Sequence, residues 1–138
     1  MNLTNNQKIT LPSGAELEIT MLPFQEGRNL YKAVCRALKA VHVDFNTDIK
    51  DLNALKDGFI EITTNKEVED AVLQALKRCT YNNERILTWD FFDPLDKRQD
   101  YFEVCWEVVK FNLYPFASRL FAKLSALLNQ SGTNQTSK

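Results

Sequence analysis

Only four glycines occur in 138 residues, at 14, 27, 58 and 132. None clusters with another, so no glycine-rich loop is present to cradle a phosphate with backbone amides. The three cysteines, Cys35, Cys79 and Cys105, are odd in number and far apart. They give neither Cys-x-x-Cys metal spacing nor a disulfide framework, and suit a reduced, intracellular protein. His42 is the single histidine. No glycine-flanked serine elbow accompanies it and no cysteine has an evident base, so no nucleophilic triad can be assembled. An excess of one charge is also missing. The chain has 17 basic and 18 acidic side chains and a net charge of -1. That balance gives no general drive toward nucleic acid or an anionic membrane. No run reaches the ~18–20 continuous apolar residues of a membrane span. The most apolar stretch, 104–128, is interrupted by Glu107, Lys110, Arg119 and Lys123. The opening MNLTNNQKIT is polar, without the apolar core of a secretory signal. The expectation is a protein with no enzymatic activity, cofactor or metal.

What is present is one domain's worth of chain, 44% hydrophobic and 25% charged, enough for a single core. After a polar lead-in over 1–8, KITLPSGAELEIT alternates apolar and polar residues on either side of Pro12-Ser13-Gly14. That pattern predicts a β-hairpin. From Gln25 the period changes, with Leu30, Val34, Ala37, Leu38 and Val41 at helical spacing. Ile49, Leu52 and Leu55 suggest a short second helix that Gly58 should disturb, and FIEIT reads as either strand or continuing helix. Thr64 and Glu67 have capping-box spacing ahead of a stripe of Val68, Ala71, Val72, Ala75, Leu76 and Cys79. YNNE reads as a turn and RILTW as a short strand. Asp93-Pro94 suits a helix start. Phe102, Trp106, Val109 and Leu113 then share a face, and Pro115 should end or kink the helix. A last helix carries Ala117, Leu120, Phe121, Leu124, Leu127 and Leu128, followed by a polar, disordered 130–138. The fold class is mostly α: a single helical domain over 9–129 with a small N-terminal hairpin, α+β by strict count.

Two surfaces stand out. Arg28, Lys32, Arg36 and Lys39 form a basic stripe opposite the first helix's apolar face, with no acidic residue between Gly27 and Val43. Four charges are a weak signal for phosphate contact, and the following acidic segment is a candidate to pair with them. The second surface is aromatic. YFEVCWEVVKFNLYPFASRLF, 101–121, holds seven of the fifteen aromatic residues. Its apolar positions wrap more than half the helix, so it needs several neighbours. Whatever they leave uncovered is a binding patch. Ordinary core packing is the alternative for each ring, and for Trp106 it is the favoured one.

LPSGAELEI, NLYKAVCRALKAV, EVEDAVLQALKRCTYNNERI and DFFDPLDKRQDYFEVCWEVVKFNLYPF together resemble the tail assembly chaperones of long-tailed bacteriophages. The likeness spans residues 8 to about 128 in layout rather than in any active-site motif. It implies a non-enzymatic, mostly helical protein of the host bacterial cytoplasm, absent from the finished virion. Its partners would be the tape measure protein, kept soluble until the tube forms, and the tail tube protein, reached through a frameshift-extended form. Self-association is a further implication; nucleic acid and membrane are not. On this reading Phe102, Trp106, Phe116, Leu120, Phe121 and Leu124 are the client contacts, and the basic stripe steers an acidic client or meets a neighbouring subunit. The alternatives are a structural tail or connector subunit and, behind it, a small nucleic-acid-binding regulator.

Overall fold

The computed structural model describes residues 5–42 and 52–116. Strands β1, Asn6–Thr10, and β2, Glu16–Thr20, form the expected hairpin, in antiparallel register from Asn6↔Thr20 to Thr10↔Glu16. Gly14 turns the chain at φ 95°, a conformation that strains any residue with a Cβ. β1 starts at Asn6, inside the stretch expected to be a lead-in.

The hairpin is half of a larger sheet. β3, Cys79–Tyr81, pairs with β2, and β4, Glu84–Arg85, pairs with β3, giving the antiparallel order β1-β2-β3-β4. Cys79 therefore lies opposite Ile19 in the sheet and not on the helical stripe assigned to it. The YNNE turn closes this second hairpin. Asn82 and Asn83 have φ of 49° and 68°, the left-handed pair that a two-residue hairpin turn needs and that Asn tolerates best after Gly. Of RILTW only Arg85 is in a strand; Ile86 is buried, and a single 3-10 turn, Trp89–Phe92, follows.

Helix α1, Phe24–Ala40, buries Gly27, Leu30, Ala33, Val34, Ala37 and Leu38. α2, Leu52–Ile62, runs straight through Gly58, so FIEIT is helix up to Ile62, with Thr63 in the turn that follows. Tertiary burial decides this: Leu55, Phe59 and Ile62 enter the core at helical spacing, outweighing glycine's cost of about 1 kcal/mol. α3, Lys66–Leu76, begins one residue later than the capping box predicted. Asn65 is the cap, its Oδ1 accepting the Val68 N–H at 3.1 Å. Glu67 turns outward and pairs with Arg36 instead. α4, Leu95–Gln99, and α5, Tyr101–Leu113, are joined at Asp100, whose backbone stays in the helical region (φ -91°, ψ -3°).

α5 is the central element, contacting α1, α2, α3, α4 and β2. Val104, Cys105, Trp106, Val108, Val109, Asn112 and Leu113 are all buried. Neighbours on every side resolve why its apolar surface is so broad. Within α5 only Phe102 stays exposed, at 47%. The molecule is thus mostly helical with a four-stranded antiparallel sheet, α+β as expected. Among the described residues no helix is long and apolar enough to cross a membrane.

Candidate functional site

Two buried polar anchors hold the α5 end of the fold. Asp100, at the α4–α5 joint, is 5% exposed. Its Oδ2 accepts hydrogen bonds from the Tyr81 hydroxyl at 2.5 Å and the Ser13 hydroxyl at 2.7 Å. One carboxylate thereby ties the β1–β2 turn, β3 and the start of α5 together. Burial first, then the Asp100 carboxylate, pushes the Tyr81 hydroxyl up to about 12, so it remains a donor. At the other end, Asn112 Oδ1 accepts the Leu22 N–H at 2.9 Å while its Nδ2 donates to the Val108 carbonyl at 2.9 Å. That fixes the β2–α1 connection onto α5.

With α4 and the 3-10 turn so placed, the aromatic side chains line up as an edge. The Tyr101 ring meets Trp89 at 6.0 Å, Phe92 at 5.3 Å and Phe102 at 5.0 Å, all near edge-to-face, an arrangement that favours well-packed rings. Trp89, Phe92, Asp93, Arg98, Tyr101 and Phe102 enclose an open cleft of about 420 Å³. Three large apolar side chains of this stretch remain in solvent: Phe102, which lines the cleft, at 47%, Leu95 at 72% and Leu87 at 54%. Leu95, Arg98 and Phe102 recur at i, i+3 and i+7 along nearly continuous helix, so they share one side. The charged residues here are partly spoken for: Lys97 pairs with Glu84 at 3.0 Å and lies 4.3 Å from the centre of the Phe91 ring, and Arg98 approaches Asp93 at 3.8 Å.

The residues expected to contact a partner separate. Phe102 belongs to the exposed edge. Trp106 is a core residue, 5% exposed, 6.0 Å from the Phe59 ring, with Lys110 over its own ring. It presents almost no surface to a client, because α2 already occupies it. Phe116 lies elsewhere, half-buried over the start of α1, stacked on Tyr31 at 5.7 Å and tilted against Phe24 at 5.7 Å. Leu120, Phe121 and Leu124 lie outside the described residues, as do the last helix and the polar end. Leu87 and Leu95 were missed. The visible signal was an apolar side chain set among aspartates, in Asp93-Pro94-Leu95-Asp96.

Arg28, Lys32, Arg36 and Lys39 are all exposed along α1, so the stripe exists as read. Arg36 leaves it in effect, held by Glu67 of α3 through two hydrogen bonds of 3.1 and 2.6 Å. This partner belongs to α3; of the acidic segment after α1 that was expected to pair with the stripe, 43–51 lies outside the described residues.

None of the three cysteines resembles an activated nucleophile. Burial pushes the Cys79 and Cys105 thiols up to about 12 and raises Cys35, so all three stay protonated at neutral pH and unreactive. His42 is exposed at the end of α1, in a left-handed conformation with φ 64°. Among the described residues no group of three His, Cys, Asp or Glu side chains could hold a metal. What the arrangement can do is bind: an aromatic cleft with exposed apolar side chains on a rigid frame. Compared with family models, curated proteins and solved structures, the chain matches none, and its function is argued from these residues and this geometry.

Proposed function

We propose that this protein is a non-enzymatic assembly chaperone of a long-tailed phage, acting in the cytoplasm of the infected host. It shields apolar helical segments of the tape measure protein until tail tube subunits polymerise around them. A longer form of the chain recruits the tube protein. The observation that carries the reading is an apolar edge: Phe102, 47% exposed, lines the aromatic cleft, and Leu95, 72% exposed, shares its side of the helix. Exposed apolar side chains gathered beside an aromatic cleft mark a binding surface, where scattered single ones would not. Phe102 also falls within KRQDYFEVCWEVVKFNLYPF, the stretch that most resembles the tail chaperones.

Mechanistically, an amphipathic client helix lays its apolar stripe along the edge, with one large side chain in the cleft. Each contact is small, so affinity comes from several chaperone molecules along one rod. Release needs no nucleotide; tube subunits outcompete the chaperone for the same stripe. The experiment is co-expression with the longest helical reading frame of the source genome. The rod protein should become soluble and co-purify, and the chaperone should be missing from purified virions by mass spectrometry. A rod that stays insoluble beside well-folded chaperone overturns the proposal. Presence in virions at stoichiometric amounts would make the protein a structural tail subunit instead.

A further inference from the structure

We propose that the outer face of α1, with the cleft at its start, takes an acidic amphipathic helix of another protein. This surface shares no residue with the apolar edge; the tail reading also sets Phe116 and the basic stripe against a client, but here the exposure and charge of the side chains alone carry the argument. Phe24, the first residue of α1, is 70% exposed, unusual for a phenylalanine. Phe116 packs against it and stacks on Tyr31, two turns further along α1. Gly27 makes this close approach feasible: a Cβ there would stand 3.2 Å from the Phe116 ring. The rings open onto a cleft of about 470 Å³ whose lining includes Leu22, Phe24, Gly27, Asn112, Phe116 and the exposed Arg78. It has room for one large apolar anchor.

Cations flank that anchor site. The Arg28 guanidinium lies 5.6 Å from the centre of the Phe24 ring, and Arg78 lines the cleft from the turn just before β3. Beyond Arg28 the row continues through Lys32 and Lys39, both exposed. Among the described residues none of these four cations forms an ion pair; Arg36, the one member of the stripe that does, is already held by Glu67. From Arg28 to Lys39 the row runs roughly 16 Å along the axis. A partner helix laid beside α1 and bearing carboxylates at three- and four-residue spacing would match that rise. Charge complementarity therefore names the chemistry: apolar anchors flanked by Asp or Glu. Nucleic acid fits less well. Phe116 is already stacked on Tyr31 and tilted against Phe24, and Arg28 sits over Phe24, so these rings are taken up by one another and not spaced to take a base between them. The net charge of -1 also lacks the basic excess such binding uses.

The test uses the full chain and three labelled probes. One is a helical peptide with Leu and Phe on one face and Glu beside them. The second has Lys in place of each Glu, and the third is an oligothymidine of similar length. Fluorescence anisotropy gives each affinity at low and moderate salt. The glutamate peptide should bind at least about tenfold tighter than the lysine peptide, and more weakly as salt rises. Phe24→Ser and the pair Arg28→Glu, Lys32→Glu should each weaken it about fivefold or more. These side chains are exposed, and circular dichroism checks that the variants stay folded. Equal binding of both peptides overturns the proposal, as does indifference to all of these substitutions. Tighter binding of the oligothymidine replaces it with a nucleic-acid surface. Sedimentation showing that this face instead joins two copies of the chain, lost in the same variants, also overturns it.

Discussion

Asn112 offers the sharpest test of how α5 holds the fold. It is 1% exposed and both ends of its amide are engaged, with the Leu22 N–H and the Val108 carbonyl. Asn112→Ala removes the acceptor and strands the Leu22 N–H in a dry interior. An orphaned buried donor costs about 1–3 kcal/mol, and the lost side-chain packing adds about 1 kcal/mol more. The sum is roughly 2–4 kcal/mol, a drop in Tm on the order of 10 °C for a domain of this size. Asn112→Asp separates the two bonds. It keeps an acceptor for Leu22 but puts a carboxylate oxygen against the Val108 carbonyl. Burial and that carbonyl both favour the protonated acid, so the folded pKa of the new Asp lies above its unfolded value. The folded state then binds more protons than the unfolded one. The variant should therefore be least stable at neutral pH and recover, relative to the parent, as pH falls toward the carboxylate range. Urea unfolding monitored by circular dichroism at several pH values reads both effects. An Ala variant within about 0.5 kcal/mol of the parent would refute the claim that this bond matters. An Asp variant whose deficit is the same at every pH would refute the assigned geometry.

Three further outcomes follow from the same structure. Trp106→Ala should cost about 3–5 kcal/mol as a core truncation, whereas Phe102→Ser should stay within about 1 kcal/mol and raise solubility; chemical unfolding and a precipitation curve compare them. Asn83, at φ 68°, should lose about 1 kcal/mol as Asn83→Ala and tolerate Asn83→Gly, measured as a shift in the urea midpoint. Alkaline stability should collapse early. Cys79, Cys105, Tyr81 and Tyr101 are each held up to about 12, mainly by burial. The unfolded chain sheds these protons from their ordinary values of 9.0 for Cys and 10.0 for Tyr, so above pH 9 it binds fewer protons and stability falls until about pH 12. Absorbance at the tyrosinate band should show part of the tyrosine signal appearing only as circular dichroism is lost.

The sequence carried the helices well, because α1 and α3 repeat apolar residues at helical spacing against a polar face. It carried the first hairpin through Pro12-Ser13-Gly14. It did not carry β3, since Cys79-Thr80-Tyr81 continues the apolar spacing of α3 and only pairing with β2 makes it a strand. α2 was ambiguous because Gly58 is a poor helix former whose burial lies in tertiary contacts. Burial within α5 was the hardest to read. Phe102 and Trp106 occupy equivalent positions one turn apart, yet α2 covers Trp106 and leaves Phe102 bare. The Asp100–Tyr81–Ser13 junction joins residues up to 87 apart in the chain, beyond any local pattern.

On the proposed function, the exposed Leu95 and Phe102 side chains are a client surface and not a packing defect. The most direct measurement is the yield of soluble rod protein recovered with the parent chain and with a Leu95→Asp, Phe102→Asp double variant. Both side chains are largely in solvent, so the variant should keep the parent's circular dichroism and urea midpoint while recovery of the rod falls at least about tenfold. A folded variant that recovers the rod as well as the parent would contradict the claim.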